Sequence, residues 1–153
     1  MLLPIEIPLW QLVIAQFRLP EPTDHGPSHW LQVRKNGLHL CQHHPADEEI
    51  VRLFALFHDS CRQNEYSDPE HGPRGAQLAI QFRQAGHFQL DDLRMELLVT
   101  ACSIHNGAPP QTEPTLAVCL DADRLDLGRV GITPDPLLLS TSTAKEIASG
   151  SRF

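Results

Sequence analysis

Several features that mark common classes of protein are missing from this sequence of 153 residues. It contains no Cys-x-x-Cys pair, and its four cysteines stand far apart in or beside apolar stretches, which favours reduced thiols over disulfides. It contains no glycine-rich phosphate loop, and no stretch alternates apolar and polar residues as a half-buried strand does. The pattern therefore disfavours a disulfide scaffold, a P-loop enzyme and a β-sheet protein.

Basic residues are also scarce. Lysine and arginine number 12 against 19 aspartates and glutamates, so the net charge is −7 with histidine neutral. Since no basic stripe is present to displace counterions, extended nucleic acid is not expected as a partner. An acidic protein can still bind a small phosphorylated molecule if a cation and a few arginines lie in the pocket.

The N-terminal segment, residues 1–8, has no basic region before its apolar residues and is interrupted by two prolines and a glutamate. Neither a signal peptide nor a membrane span fits this composition. We therefore expect no membrane as a partner and a cytoplasmic location.

Apolar residues recur with the helical period through most of the chain, which is long enough to bury one real core. A buried helix is predicted to end at His58-Asp59, and another to run from Asp91-Asp92 to about residues 105–107. Further helices are predicted over about residues 8–18, 28–41, 74–85, 115–127 and 141–148. The predicted fold class is all-α: a single-domain bundle of about six to seven helices over residues 1–148, followed by a frayed tail at 149–153.

The most informative feature is a nearly unbroken apolar run, residues 50–57, that ends in His58 and Asp59. Apolar residues on every face predict a helix buried in the middle of the protein. Two ionisable side chains at its end are costly to bury unless something compensates for their lost solvation. A metal ion does so, because it binds neutral imidazole and ionised carboxylate directly.

Four other elements each bring an imidazole or a carboxylate to, or near, a buried position. His29 opens the second helix and His71 precedes the fourth, while His105 closes the fifth and Asp123 lies on the apolar face of the sixth. Side chains that converge from facing helices build the metal sites of helical bundles. Four nitrogens and two carboxylates suit divalent Mn, Fe, Co or Zn better than Mg or Ca.

The same residues are also compatible with arrangements that hold no metal. A satisfied network of buried ion pairs would keep them in place. His71 would serve as an exposed loop or capping histidine, and His105 as an imidazolium favoured by the helix dipole. Asp121 is an alternative to Asp123 as the ligand from the sixth helix, or it orients a ligand histidine. The other five histidines are interpreted as surface residues: His25, His39, His43, His44 and His87.

The order of these residues resembles the signature of the HD-domain superfamily of metal-dependent phosphohydrolases. That signature is a histidine, a His-Asp pair and a late aspartate that often precedes a basic residue and a leucine. The matching positions are His29 in His-Trp-Leu-Gln-Val, the pair His58-Asp59, and Asp123 in Asp-Ala-Asp-Arg-Leu-Asp, over about residues 28–129. The resemblance implies an HD-type helical domain. It also implies hydrolysis of a small phosphorylated metabolite through a metal-activated water, with a nucleotide as the favoured substrate.

Binuclear branches of that superfamily add two histidines between the doublet and the late aspartate. His71 in His-Gly-Pro-Arg-Gly-Ala and His105 in Ile-His-Asn-Gly match those positions in type, similar to HD-type diadenosine tetraphosphate hydrolases. Asn follows His105 where those proteins have Thr. The resemblance implies one or two divalent transition-metal ions, with Asp59 as the catalytic residue. Some related phosphatases place a catalytic acid shortly after the doublet. Residues 60–62 of this chain are Ser, Cys and Arg, so no residue is assigned to that role.

Three arginines close to the proposed ligands are candidate substrate-binding residues: Arg62, Arg74 and Arg124. A guanidinium offers a planar fork to phosphate oxygens and keeps its charge at neutral pH. Salt bridges with nearby acids on the surface would account for these arginines equally well.

Two other functions are compatible with the same ligand set. A di-iron HD-type oxygenase would use O₂ to cleave C–C or C–P bonds. A non-catalytic binding or regulatory module would keep the metal only for stability. Metal analysis, spectroscopy and turnover on phosphoesters separate the three functions.

Overall fold

The structure, a computed structural model, describes residues 1–150; residues 151–153 of the predicted frayed tail lie outside the described part. Over residues 1–150 the chain forms seven α-helices and no strand, which confirms the predicted all-α class and helix number. The helices are α1 (Ile7–Gln16), α2 (Pro27–Cys41), α3 (Glu48–Phe57), α4 (His71–Gln84), α5 (Asp92–Ile104), α6 (Pro114–Arg124) and α7 (Ser142–Ala148). Two 3₁₀ turns, Leu127–Val130 and Pro136–Leu138, connect α6 to α7.

Helix α3 is the centre of the bundle, and α2, α4, α5 and α6 all contact it. Its residues Ile50, Val51, Phe54 and Phe57 have no exposed surface, as the apolar run predicted. Full burial of a large apolar side chain contributes about 1.5–3 kcal/mol. Helix α3 therefore anchors the core, and the polar pair that follows it is held in a fixed place.

Helix α1 ends at Gln16 rather than at about residue 18, and the boundaries of three further helices also differ from those predicted. Helix α2 begins at Pro27 after Gly26, rather than being capped by Ser28, because proline suits the first helical position. Helix α4 begins earlier than predicted, at His71, because Pro73 falls in its first turn, where a missing N–H is tolerated. Helix α6 ends at Arg124 rather than at about residue 127, where the 3₁₀ turn Leu127–Val130 begins.

All four cysteines are free thiols, two buried and two half-buried: Cys102 and Cys119, and Cys41 and Cys61. None of the helices within residues 1–150 is both long and apolar enough to cross a membrane. At the end of the described chain, the Ser149 hydroxyl donates to the Lys145 carbonyl and the Gly150 N–H to the Ile147 carbonyl. Ser149 and Gly150 therefore donate hydrogen bonds to carbonyl groups in the last turn of α7.

Candidate metal centre

The six residues proposed as ligands meet where the ends of five helices converge. His29 lies in the first turn of α2, His71 is the first residue of α4, and Asp123 lies in the last turn of α6. The remaining three follow the last residues of α3 and α5: His58, Asp59 and His105. All are buried except Asp123, whose side chain keeps 17% of its exposure. The site is therefore built at helix ends around the C-terminus of α3.

Two glycines of α4 let these helix ends approach one another. A Cβ atom at Gly72 would collide with the carbonyl oxygen of Cys102 in α5, and one at Gly75 with the carbonyl oxygen of Phe57 in α3. Helix α4 can pack this closely only because both positions lack a side chain. The segment 71–75 thus supplies a site residue and also the space for it.

One half of the cluster consists of His29, His58, Asp59 and Asp123. The Nε2 atoms of His29 and His58 lie 3.1 Å apart. Oδ2 of Asp59 lies 3.3 Å from His29 Nε2 and 3.6 Å from His58 Nε2. Oδ1 of Asp123 lies 3.1 and 3.5 Å from the same two nitrogens. Ligand atoms about 2.0–2.1 Å from a tetrahedral metal are roughly 3.3–3.4 Å apart, so the spacings among His29, His58 and Asp59 match one ion, with Asp123 beside the two nitrogens.

The other half consists of His71, His105 and the second oxygen of Asp59. The two Nε2 atoms lie 3.0 Å apart. Oδ1 of Asp59 lies 3.1 Å from His71 Nε2 and 3.4 Å from His105 Nε2. The two oxygens of a single carboxylate therefore face two different pairs of histidines.

The Nδ1 atom of every histidine in the cluster lies beside a hydrogen-bond acceptor, and that of His71 also lies 3.2 Å from a guanidinium nitrogen of Arg62. His29 Nδ1 donates to the Asp126 carboxylate at 2.7 Å. The other three donate to backbone carbonyls: His58 to Phe54 and Ala55, His71 to Asp68, and His105 to Cys102. Because the proton of a neutral ring is then on Nδ1, Nε2 presents a lone pair. Lone pairs that face carboxylate oxygens at about 3 Å require a cation or a proton between them.

Ionisation within the cluster is strongly perturbed. Burial alone would raise the pKa of Asp59 and Asp123, but the surrounding histidines hold both pKa values well below their usual range. Burial lowers the pKa of His29, yet hydrogen bonds to Asp123, Asp126 and Asp59 outweigh it and raise that pKa to about 10. A metal-free His29 is therefore protonated at neutral pH, as the ion-pair alternative requires, and a metal ion would take the place of that proton.

Two overlapping groups within the cluster place their ligand atoms within reach of a common ion: His29, His58 and Asp59, and Asp59, His71 and His105. Imidazole nitrogen and carboxylate oxygen together form the donor set of Mn, Fe, Co and Zn sites. The buried histidines and aspartates can therefore hold one or two metal ions.

Asp121, the rival of Asp123, has a different role. It is fully buried, and its carboxylate accepts hydrogen bonds from the backbone N–H groups of Ser140 and Thr141 at 2.9 and 2.8 Å. Burial raises the pKa of Asp121, although these hydrogen bonds oppose the shift. Asp121 ties the segment before α7 to α6, and Asp123 is the late aspartate that reaches the cluster.

All three arginines proposed to bind substrate are already engaged by protein groups, Arg62 by His25, His71 and the Tyr66 carbonyl. Arg74 forms an ion pair with both oxygens of Asp68 at 2.6 Å. Arg124 donates to the carbonyl oxygens of Leu138, at 2.7 Å, and Ala108. The salt-bridge alternative therefore applies to Arg74, although its partner is not one of the expected surface acids, since the Asp68 side chain is only 5% exposed.

His25 is not the surface residue that the sequence indicated. Its side chain is only 12% exposed, and its Nδ1 atom lies 3.5 Å from Asp59 Oδ2. Its Nε2 atom lies 2.7 Å from one guanidinium nitrogen of Arg62, whose other terminal nitrogen lies 3.2 Å from His71 Nδ1. The Trp30 indole donates to the His25 carbonyl at 2.8 Å, which holds the loop against the cluster. The Pro/Gly-rich sequence around His25 contains no signal for this position.

Asp126 is a second contributor that sequence reasoning missed, because its sequence context indicates only a salt-bridge partner for arginine. Its carboxylate binds the outer nitrogen of His29, so it orients that ring rather than facing the centre. The spacing of three between Asp123 and Asp126 is an available signal, since residues at this spacing share one side of a helix.

A cavity of about 260 Å³ opens beside the cluster and is lined by His105, Asp123 and Arg124. Leu127 and Leu138 contribute apolar surface to its wall. A larger groove, about 910 Å³ in volume, lies between the N-terminal segment, α3 and the α4–α5 connection, and no candidate ligand lines it. The smaller cavity is therefore the candidate entrance, because it alone of the two reaches the cluster.

Comparison of the chain with protein-family models, curated proteins and solved structures finds no match. The fold and the site themselves define an all-α domain with a buried histidine–aspartate cluster that can hold metal ions. This arrangement is compatible with an HD-type site.

Proposed function

We propose that this protein is an HD-type metal-dependent phosphohydrolase that acts on a small phosphorylated metabolite, with a nucleotide as the favoured substrate. The observation that carries the proposal is the placement of Asp59, whose two oxygens face different histidine pairs. A carboxylate in this position can bridge two cations, and paired cations stabilise both the attacking and the leaving oxygens in phosphoryl transfer. The order of His29, the His58-Asp59 doublet and Asp123 along the chain supports the HD assignment.

The proposed cofactor is one or two divalent transition-metal ions, namely Mn, Fe, Co or Zn. The first ion would be held by His29, His58, Asp59 and Asp123, and the second by Asp59, His71 and His105. A bound ion of this kind lowers the pKa of water from about 15.7 toward about 7 and neutralises charge on phosphoryl oxygens.

Asp59 is the proposed catalytic residue. The neighbouring histidines keep its pKa low, so its carboxylate remains ionised at neutral pH. An ionised carboxylate can accept a hydrogen bond from the attacking water and hold that water in line with the scissile bond. The buried end of α3 fixes this carboxylate in position before substrate binds, which reduces the entropic cost of the reaction.

The substrate is proposed to enter the cavity lined by His105 and Asp123. A volume of about 260 Å³ is slightly below the usual range for small-molecule sites, so it would accommodate a phosphorylated head group rather than a whole dinucleotide. Arg124 lines the same cavity, and because its N–H groups bind carbonyls, it would contribute mainly positive potential. Arg62 and Arg74 do not line this cavity.

The test begins with elemental analysis of protein purified without chelator. Hydrolysis of nucleotides and dinucleoside polyphosphates is then screened with Mn, Fe, Co and Zn. We expect bound transition metal and hydrolysis that is lost in His58→Ala and Asp59→Ala while the helical circular dichroism is retained. His43→Ala, at an exposed position outside the cluster, is the matched control and should keep full activity.

Each competing function gives a different result in this experiment. Mixed-valent iron without phosphatase activity would indicate an oxygenase rather than a hydrolase. Tightly bound metal without turnover on any phosphoester would indicate a structural or regulatory module. Failure to take up any of the four metals would overturn the proposal.

A further inference from the structure

A second cavity, about 150 Å³ in volume, is lined by Arg18, Arg62 and Arg74, by two glutamines and by the turn formed by residues 60–61. We call it the arginine cavity. None of the six proposed ligands lines it, so it is distinct from the candidate entrance. Its lining carries three positive charges and no acidic residue, in a protein of net charge −7. The cavity is therefore locally positive although the protein as a whole is negatively charged.

Arg62 is the most deeply buried of the three arginines of the arginine cavity. It is 7% exposed, and its terminal nitrogens lie beside His25 and His71. Its Nε atom is buried and has no hydrogen-bond partner. An unpaired buried donor is unfavourable, and more so when it is charged. Arg62 forms no ion pair within residues 1–150, so its charge adds to the positive potential of the cavity.

The other two arginines leave positive charge available. Arg18 is exposed at the cavity and makes no hydrogen bond or ion pair with the residues described, 1–150. Arg74 donates from Nη2 to Asp68 and from Nε to the Cys61 carbonyl. Asp68 balances only one of the three guanidinium charges, so the cavity keeps an excess of positive charge.

We propose that the arginine cavity binds a tetrahedral oxyanion of the size of phosphate. A phosphate ion has only five heavy atoms, and a cavity of about 150 Å³ is large enough to hold it. Guanidinium groups bind such oxygens through charge-assisted hydrogen bonds. This inference requires neither metal nor hydrolysis, so it stands independently of the proposed function.

The test is a titration of the metal-free full chain with inorganic phosphate at constant ionic strength, followed through the arginine Nε–H signals in ¹H–¹⁵N NMR spectra. We expect saturable binding at one site, with shifts confined to the three arginines that line the cavity. Arg18→Gln should weaken phosphate binding about two- to fivefold, since it removes an exposed charge from the cavity. Lys35→Gln removes one positive charge from an exposed position on α2 and should leave the affinity unchanged.

A parallel titration with AMP separates two sources of the same chemistry. Binding of both compounds would mean that the arginine cavity accepts a phosphate carried on a nucleoside. Binding of inorganic phosphate alone would mean that it accepts a free oxyanion.

Non-saturating shifts, or equal weakening by Arg18→Gln and Lys35→Gln, would overturn the proposed oxyanion site. Saturable phosphate binding in a protein that shows no metal-dependent hydrolysis would leave this site intact and count only against the phosphohydrolase.

Discussion

The Nδ1 atom of His29 and the Oδ2 atom of Asp126 lie 2.7 Å apart, although 97 positions separate the two residues along the chain. This hydrogen bond fixes the imidazole so that its Nε2 atom faces Asp59 and Asp123. It also joins the first turn of α2 to the segment that follows α6. A carboxylate behind a ligand histidine sets the tautomer of the ring and raises its basicity.

Replacing Asp126 with alanine is therefore expected to weaken metal binding by about 10- to 100-fold, the usual effect of removing such a partner. The affinity is measured by competition with a chromophoric chelator. Glu146→Ala removes the same charge from an exposed position on α7 and should bind metal as the parent does. Equal affinities in the two variants would show that Asp126 does not act through His29.

Metal binding is expected to release about one proton from His29 near pH 7.5. The pKa of His29 is raised to about 10 in the metal-free protein, so the ring must lose a proton before Nε2 can bind a cation. Calorimetric titrations in buffers of different ionisation enthalpy measure this proton directly. A binding enthalpy that does not depend on the buffer would contradict the prediction.

The same shift predicts how the stability of the metal-free protein depends on pH. Because the folded-state pKa lies above the ordinary value of 6.5, the protonated ring stabilises the fold fully below about pH 6.5 and loses this effect as the pH rises through about 10. The melting temperature of the metal-free protein should therefore fall across this range. His29→Asn should show a shallower fall, and an identical slope in both proteins would exclude His29 as the cause.

Gly75→Ala is expected to destabilise the protein by about 1–3 kcal/mol, because the new Cβ would collide with the Phe57 carbonyl and push α4 away from α3. Metal affinity should fall at the same time, since His71 begins α4. Urea denaturation and chelator competition measure the two effects. Gly128→Ala is the matched control, because a Cβ there meets nothing within 4 Å. Equal stability of the two variants would mean that α4 does not need the close approach.

The fold and part of the site could be predicted because their signals are local. The apolar run of α3 marks a helix buried on all sides, so the burial of His58 and Asp59 followed from the sequence alone. The helical class likewise followed from the 3.6-residue period. These inferences needed only neighbouring residues along one element.

The remaining details depend on contacts between distant segments. Asp121 and Asp123 both lie in α6, and residues 115–122 of that helix are all buried, so the helical period that favoured Asp123 still left Asp121 as a rival. The backbone N–H groups of Ser140 and Thr141 bind the Asp121 carboxylate, which leaves Asp123 as the aspartate beside the histidines. His25 stands in a loop whose path is set by its contact with Trp30, and loop sequences contain little information about such paths.

A final prediction concerns Asp47, which caps α3 and binds Arg94 at 2.7 and 2.9 Å. Asp47→Asn keeps a good capping residue but removes the charge of the ion pair. We expect a loss of about 0.5–1 kcal/mol in the free energy of unfolding at pH 7, because both partners are partly exposed. Urea denaturation measures the change.

The pH dependence of that loss distinguishes the ion pair from a packing effect. The hydrogen bond from Arg94 lowers the pKa of Asp47, so its stabilising effect is present above the ordinary value of 3.8 and disappears as the pH falls through the lower folded-state value. The difference between Asp47→Asn and the parent should therefore shrink below about pH 4. Asp92→Asn is the control, since Asp92 pairs with Arg83 at 2.6 Å but is 94% exposed, and no measurable change is expected. A difference for Asp47→Asn that persists unchanged at low pH would mean that the amide disturbs the cap itself.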